Sequence, residues 1–124
     1  MSSSFWRLSV RDEFSASHAL RHYQGKCENI HGHNFGVEAV IQGEKLMEGT
    51  EFLMDFSLIK KALKRVLETL DHKDLNSTPP FDRLNPSSEN LSCYIFQALS
   101  PLVVPHVVKL FSVSVSEKSA QSAT

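Results

Sequence analysis

At 124 residues, with 41% hydrophobic and 22% charged content, the chain is long enough to bury one core without disulfide staples. Its net charge of −1 offers no bulk field for nucleic acid or an anionic membrane, and no run approaches the roughly 18 apolar residues that cross a bilayer. The start, Met1-Ser2-Ser3-Ser4-Phe5-Trp6-Arg7, lacks an apolar secretory region, and two cysteines, Cys27 and Cys93, make no disulfide framework. One domain over 1–124, with a loose polar tail from about 118, is expected in a reducing cytoplasm.

Residues 5–17 read as a strand, with Phe5, Leu8, Val10 and Phe14 set among polar residues and a slip at Arg11-Asp12 that marks either a bulge or only an imperfect pattern. Ala16-Ser17-His18-Ala19-Leu20 closes it, so His18 can face inward near its end. A polar loop over 21–28 follows. Residues 33–42 alternate again, with Phe35, Val37, Ala39 and Ile41 on one face, and 43–50 is rich in turn residues. Asp55 is a good N-cap for a helix in which Ile59, Ala62, Leu63, Val66, Leu67 and Leu70 form one apolar stripe opposite Lys60, Lys61, Lys64, Arg65 and Glu68. Pro79-Pro80 prevents its continuation.

Pro86-Ser87-Ser88-Glu89-Asn90 opens a second helix, with a serine cap and an acidic residue in its first turn. Its apolar face runs from Leu91 to Leu102, and Pro101 and Pro105 predict an early or kinked end. Residues 107–115 predict a strand with Val107, Lys109, Phe111, Val113 and Val115 on one face, and Glu117 follows it.

His31-Gly32-His33 is the chemically informative stretch. Side chains at i and i+2 of a strand leave the same face, so both imidazoles can address one ion. Neutral imidazole suits zinc, and a catalytic zinc keeps three protein ligands and one open position. His18 is the candidate for the third. Cys27, four residues before His31, is close enough to share the site.

With those residues go the Leu70-Asp71-His72 step, Pro86-x-x-Glu89-Asn90 and the late Glu117, in that order. Together the chain resembles the 6-pyruvoyl-tetrahydropterin synthase superfamily, over nearly its whole length. The three-residue gap between Cys27 and His31 is similar to the bacterial 6-carboxy-5,6,7,8-tetrahydropterin synthase branch, which serves the queuosine pathway. The resemblance implies an α+β tunnelling fold (T-fold), an antiparallel sheet with two helices packed on one face. Its subunits assemble into barrels, here a hexamer made as a dimer of trimers.

The resemblance also implies roles. His18, His31 and His33 would hold Zn2+, Cys27 would be the catalytic base, and Asp71 with His72 would form a second proton-transfer pair. Glu117 would anchor the pterin through paired hydrogen bonds, and Glu89 would assist binding or simply favour its helix N-terminus. The substrate would be 7,8-dihydroneopterin triphosphate, and the products 6-carboxy-5,6,7,8-tetrahydropterin, acetaldehyde and triphosphate. Arg21, Lys26 and Lys118 are candidates to hold the triphosphate, while His22 and His106 read as surface residues.

The chain departs from the pattern at Lys118, where threonine commonly follows the glutamate, at Ser87, and in a short end that leaves little room for the family's last strand. Three other readings stay open. One is pyruvoyl-forming elimination on the same scaffold, and another is side-chain cleavage to a hydroxymethylpterin using Glu28. The third is a non-catalytic zinc- or pterin-binding protein.

Overall fold

Two long strands set the frame. In the computed structural model, which describes residues 4–24, 29–106 and 108–124, β1 (Trp6–His18) and β2 (His31–Gly43) pair antiparallel along their whole lengths. The register runs unbroken from Trp6 opposite Gly43 to His18 opposite His31. Val10, Phe14, Ala16 and His18 are buried on one face, together with Phe35, Val37, Ala39 and Ile41. Of the two readings of the slip at Arg11-Asp12, the imperfect pattern holds and there is no bulge. The pattern slips there only because Asp12 takes an inward-phase, half-buried position, where its Oδ1 accepts the Glu13 N–H at 2.8 Å.

The irregularity lies in β4 (Lys109–Lys118) instead. Val40 pairs with Ser112 and Ile41 with Leu110, so Phe111 is the extra residue of a bulge. Leu110 and Val113 can then both be buried while Phe111 is exposed beneath the Arg7 guanidinium, 3.7 Å from its ring centroid. The sequence places Phe111 on the face of Val113 and Val115, and the bulge corrects that. Beyond it, Val113, Val115 and Glu117 share the inward phase. The expected loose tail is also corrected. β5 (Gln121–Ala123) pairs back onto β4 at Val115 and Lys118, because an open strand edge offers backbone partners that need no apolar side chain.

The two-residue β3 (Lys73–Asp74) joins β1 in parallel, which makes an otherwise antiparallel sheet mixed, in the order β3-β1-β2-β4-β5. α1 (Phe56–Leu67) starts where Asp55 accepts the Ser57 N–H, and α2 (Ser88–Val103) where Ser87 accepts the Asn90 N–H. α2 continues through Pro101, which stands in its last turn, and tightens into a 3-10 turn at Val104–His106. Both helices seal one face of the sheet around a single core that includes Ile59, Leu63, Leu91, Ile95 and Leu99. Each such side chain contributes about 1.5–3 kcal/mol on burial. The expected α+β layering is present, and the loops at the end of β1 meet the start of α2.

Candidate metal centre

The register of β1 and β2 brings three histidines together. His18 and His31 are directly opposite, and His33 lies two residues along β2 on the same face. The ring centroids are 4.6 Å apart for His18–His31, 5.5 Å for His18–His33 and 4.6 Å for His31–His33. Phe35 closes the floor edge-on, 5.1 Å from His18 and 5.7 Å from His33, and stacks on Phe14 at 4.9 Å. Gly32 leaves its own face open, since an added Cβ would approach only the Ala16 carbonyl oxygen, at 4.0 Å.

Backbone carbonyls orient two of the rings. Nδ1 of His18 lies 2.8 Å from the Pro86 oxygen and Nδ1 of His31 lies 2.7 Å from the Asn29 oxygen. A carbonyl only accepts, so each Nδ1 carries a proton, and in the neutral ring Nε2 presents a lone pair. Both Nε2 atoms are buried with no hydrogen-bond partner among the described residues. Glu117 reaches in from β4, its oxygens 3.3 Å from His18 Nε2 and 3.3 Å from His33 Nε2, close but out of line for a bond to His18. One donor atom from each of His18, His31, His33 and Glu117 lies within 4.8 Å of the others.

Burial, the largest influence, pushes the His18 imidazole below its ordinary pKa, against the opposing pull of the Pro86 bond and the Glu117 charge. A neutral His18 therefore points a lone pair at a carboxylate. Buried acceptors facing one another with nothing to donate are costly, and a cation between them would remove the cost. The donor set fits zinc, which takes imidazole nitrogen and carboxylate oxygen. Glu117, expected to serve as a pterin anchor, thus also stands within reach of the ion.

Asp71 and His72 are paired elsewhere. Asp71 Oδ2 is 3.0 Å from His72 Nδ1, and Asp71 Oδ1 accepts the Ser15 N–H at 2.9 Å. The Ser15 bond is the largest cause holding this carboxyl below its usual pKa, with His72 assisting and burial opposing. Neighbours on a helix would diverge, but here the chain has left α1 and His72 takes a left-handed backbone with φ of 58°. Its side chain is 82% exposed. It lines a cleft of about 540 Å³ together with Ser15, Ser17, His33, Asn34 and Lys73.

The other expected residues are dispersed. Glu89 is exposed in the first turn of α2 and borders a separate cavity with Cys93, Phe96 and Phe111. Arg21 is removed as a triphosphate candidate. Its guanidinium donates to the carbonyls of Phe81 at 2.8 Å, Leu84 at 2.9 Å and Asn76 at 3.4 Å. Lys118, His22 and His106 are exposed. Cys27, Glu28 and Lys26 lie outside the described residues. Sequence reasoning missed the two orienting carbonyls, which carry no side-chain signal, and the nearness of Glu117 to the histidines, for which its phase with Val113 and Val115 was the available sign.

Residues 7–124 match a sequence profile of the 6-pyruvoyl tetrahydropterin synthase family. The chain is 33% identical over 122 residues to 6-carboxy-5,6,7,8-tetrahydropterin synthase of Synechocystis sp., covering 95% of this chain and 91% of that protein. It is 34% identical over 111 residues to dihydroneopterin monophosphate aldolase of Pyrococcus furiosus, covering 90% and 89%. The solved structure of Caenorhabditis elegans 6-pyruvoyl tetrahydropterin synthase superposes with a TM-score of 0.84 at 28% identity, over 99% of this chain and 96% of that one. Three product chemistries occur among these relatives at similar identity, so overall likeness does not select one.

Proposed function

This chain belongs to the 6-pyruvoyl tetrahydropterin synthase family, and from that premise we propose that it is a zinc-dependent lyase converting 7,8-dihydroneopterin triphosphate to 6-carboxy-5,6,7,8-tetrahydropterin, acetaldehyde and triphosphate. The observation that carries the reading is the convergence of buried lone pairs on His18 and His31, unpartnered among the described residues, beside His33. The three-residue gap between Cys27 and His31 favours the carboxy-forming branch.

His18, His31 and His33 would hold zinc, which supplies Lewis acidity toward the oxygens of the pterin side chain. Neutral imidazoles, two of them fixed by carbonyls, leave the ion its full charge. Cys27 as thiolate takes a proton from a side-chain carbon. His72 returns protons, oriented and charge-stabilised by Asp71, which the Ser15 N–H keeps ionised. Glu117 accepts two parallel hydrogen bonds from the pterin's 2-amino group and ring N–H, setting the side chain against the histidines. Glu89 assists substrate binding from the first turn of α2 or favours that helix N-terminus, and the subunits are expected to join their sheets into a barrel, as a dimer of trimers. The product would feed queuosine-type deazapurine synthesis in the cytoplasm. No helix among the described residues is long and apolar enough to cross a membrane.

The aldolase relative and Glu28 beside Cys27 support a second reading, side-chain cleavage to a hydroxymethylpterin. Consumption of the substrate tests enzyme against binding protein. Zinc-loaded protein should consume 7,8-dihydroneopterin triphosphate, and chelated protein and the His31→Ala variant should not. Tight zinc without turnover would leave a binding protein.

A further inference from the structure

The segment after His18 is held by an arrangement the proposed chemistry does not use. Asn76 grips the backbone of Ala19 at both ends, its Oδ1 accepting the N–H at 2.8 Å and its Nδ2 donating to the carbonyl at 2.9 Å. Asn85 does the same to Arg21, with its Oδ1 accepting the N–H at 2.8 Å and its Nδ2 donating to the carbonyl at 3.1 Å. Residue 19 lies just past the end of β1 and residue 21 begins a turn, so two side-chain amides take up backbone groups just where the strand runs out of partners. Arg21 reciprocates by donating to the Phe81 and Leu84 carbonyls. Asn85 is fixed from behind as well, since the Asn90 amide donates to its carbonyl at 2.8 Å and the Asn90 N–H is tied to Ser87.

Asn85 directly precedes Pro86, whose carbonyl is the partner of His18 Nδ1. Proline has no N–H and a fixed φ, so with Asn85 held on one side and Ser87 fixed as the α2 cap on the other, the peptide that carries this carbonyl has little freedom. We propose that Asn85, clamped to Arg21 and Asn90, is a positioning residue that aims the Pro86 carbonyl at His18 and thereby sets which His18 nitrogen faces the metal centre. It touches neither substrate nor metal. Partners at this remove from a metal typically change its affinity 10–100-fold when lost.

The inference rests on the zinc reading, and the test separates the two. Long-range proton–nitrogen NMR of the chelated wild-type protein at pH 7.5 should show His18 protonated at Nδ1 alone. The Asn85→Ala variant, or the milder Asn85→Ser if that one folds poorly, should show mixed tautomers at His18. It should also lose zinc affinity 10–100-fold in competition with a chromophoric chelator. Asp55→Ala, which uncaps α1 away from the site, should leave both readouts unchanged. A mixed or Nε2-protonated His18 in the wild type would overturn the proposal, and so would an Asn85 variant with wild-type tautomer and zinc affinity. A wild type that binds no zinc but shows the fixed tautomer, released by Asn85→Ala, would refute the zinc reading and support the clamp.

Discussion

Replacing His18 by leucine should separate the site's chemistry from its stability. In the metal-free protein the change removes a buried Nε2 that has no hydrogen-bond partner among the described residues, which costs the fold about 1–3 kcal/mol. It also strips the Pro86 carbonyl of its donor, a loss of about the same 1–3 kcal/mol. The two oppose each other, so the folding free energy in EDTA should move by no more than about 2 kcal/mol. Zinc held at a hundred to a thousand times its Kd stabilises a native-only site by about 2.7–4.1 kcal/mol. That corresponds to a rise of roughly 10 °C in Tm for a chain of this size. The assay is urea denaturation followed by circular dichroism, with EDTA and with zinc. Wild type should gain from zinc, and His18→Leu should gain almost nothing. A loss of about 3 kcal/mol or more in EDTA would show His18 to be a satisfied core residue, and an undiminished zinc gain would show that it is no ligand.

Other changes probe the flanking parts. If Glu117 anchors the pterin, Glu117→Gln should raise KM sharply with zinc affinity nearly unchanged in chelator competition. Lost zinc affinity would instead make it a ligand. Asp71 is held below its ordinary pKa of 3.8, so its stabilisation is present above that pH and lost as pH falls through the lowered folded value. Asp71→Asn should flatten that acid limb in pH-dependent denaturation and lower kcat, and an unchanged limb would contradict the Ser15 bond. Ser87→Ala removes the α2 cap and should cost about 1 kcal/mol in urea denaturation.

What could be read in advance was what repeats locally. The alternation of Phe35, Val37, Ala39 and Ile41 and the stripe from Ile59 to Leu70 each point to one face, and caps such as Asp55 and Ser87 act within a turn. The bulge at Phe111 was not legible, because Leu110 and Phe111 are both apolar and the pattern cannot choose between two phases. That one residue settles the β2–β4 register, so which β2 residues lie opposite β4 was hidden with it, although the phase that Glu117 shares with Val113 and Val115 was not. The histidines were legible because His31-Gly32-His33 needs only a strand's period of two. The acceptors at Pro86 and Asn29 were not, since every residue has a carbonyl. The Asp71–His72 pair depends on a left-handed turn that no helix pattern announces, so only family likeness could suggest it.

The most direct measurement is mass spectrometry of the products after zinc-loaded protein meets 7,8-dihydroneopterin triphosphate, with Cys27→Ala in parallel. The expected result is 6-carboxy-5,6,7,8-tetrahydropterin with acetaldehyde and triphosphate, abolished in the variant. A pyruvoyl or hydroxymethyl product would contradict the assigned reaction while keeping the site, and zinc-loaded protein that leaves the substrate untouched would contradict an enzyme altogether.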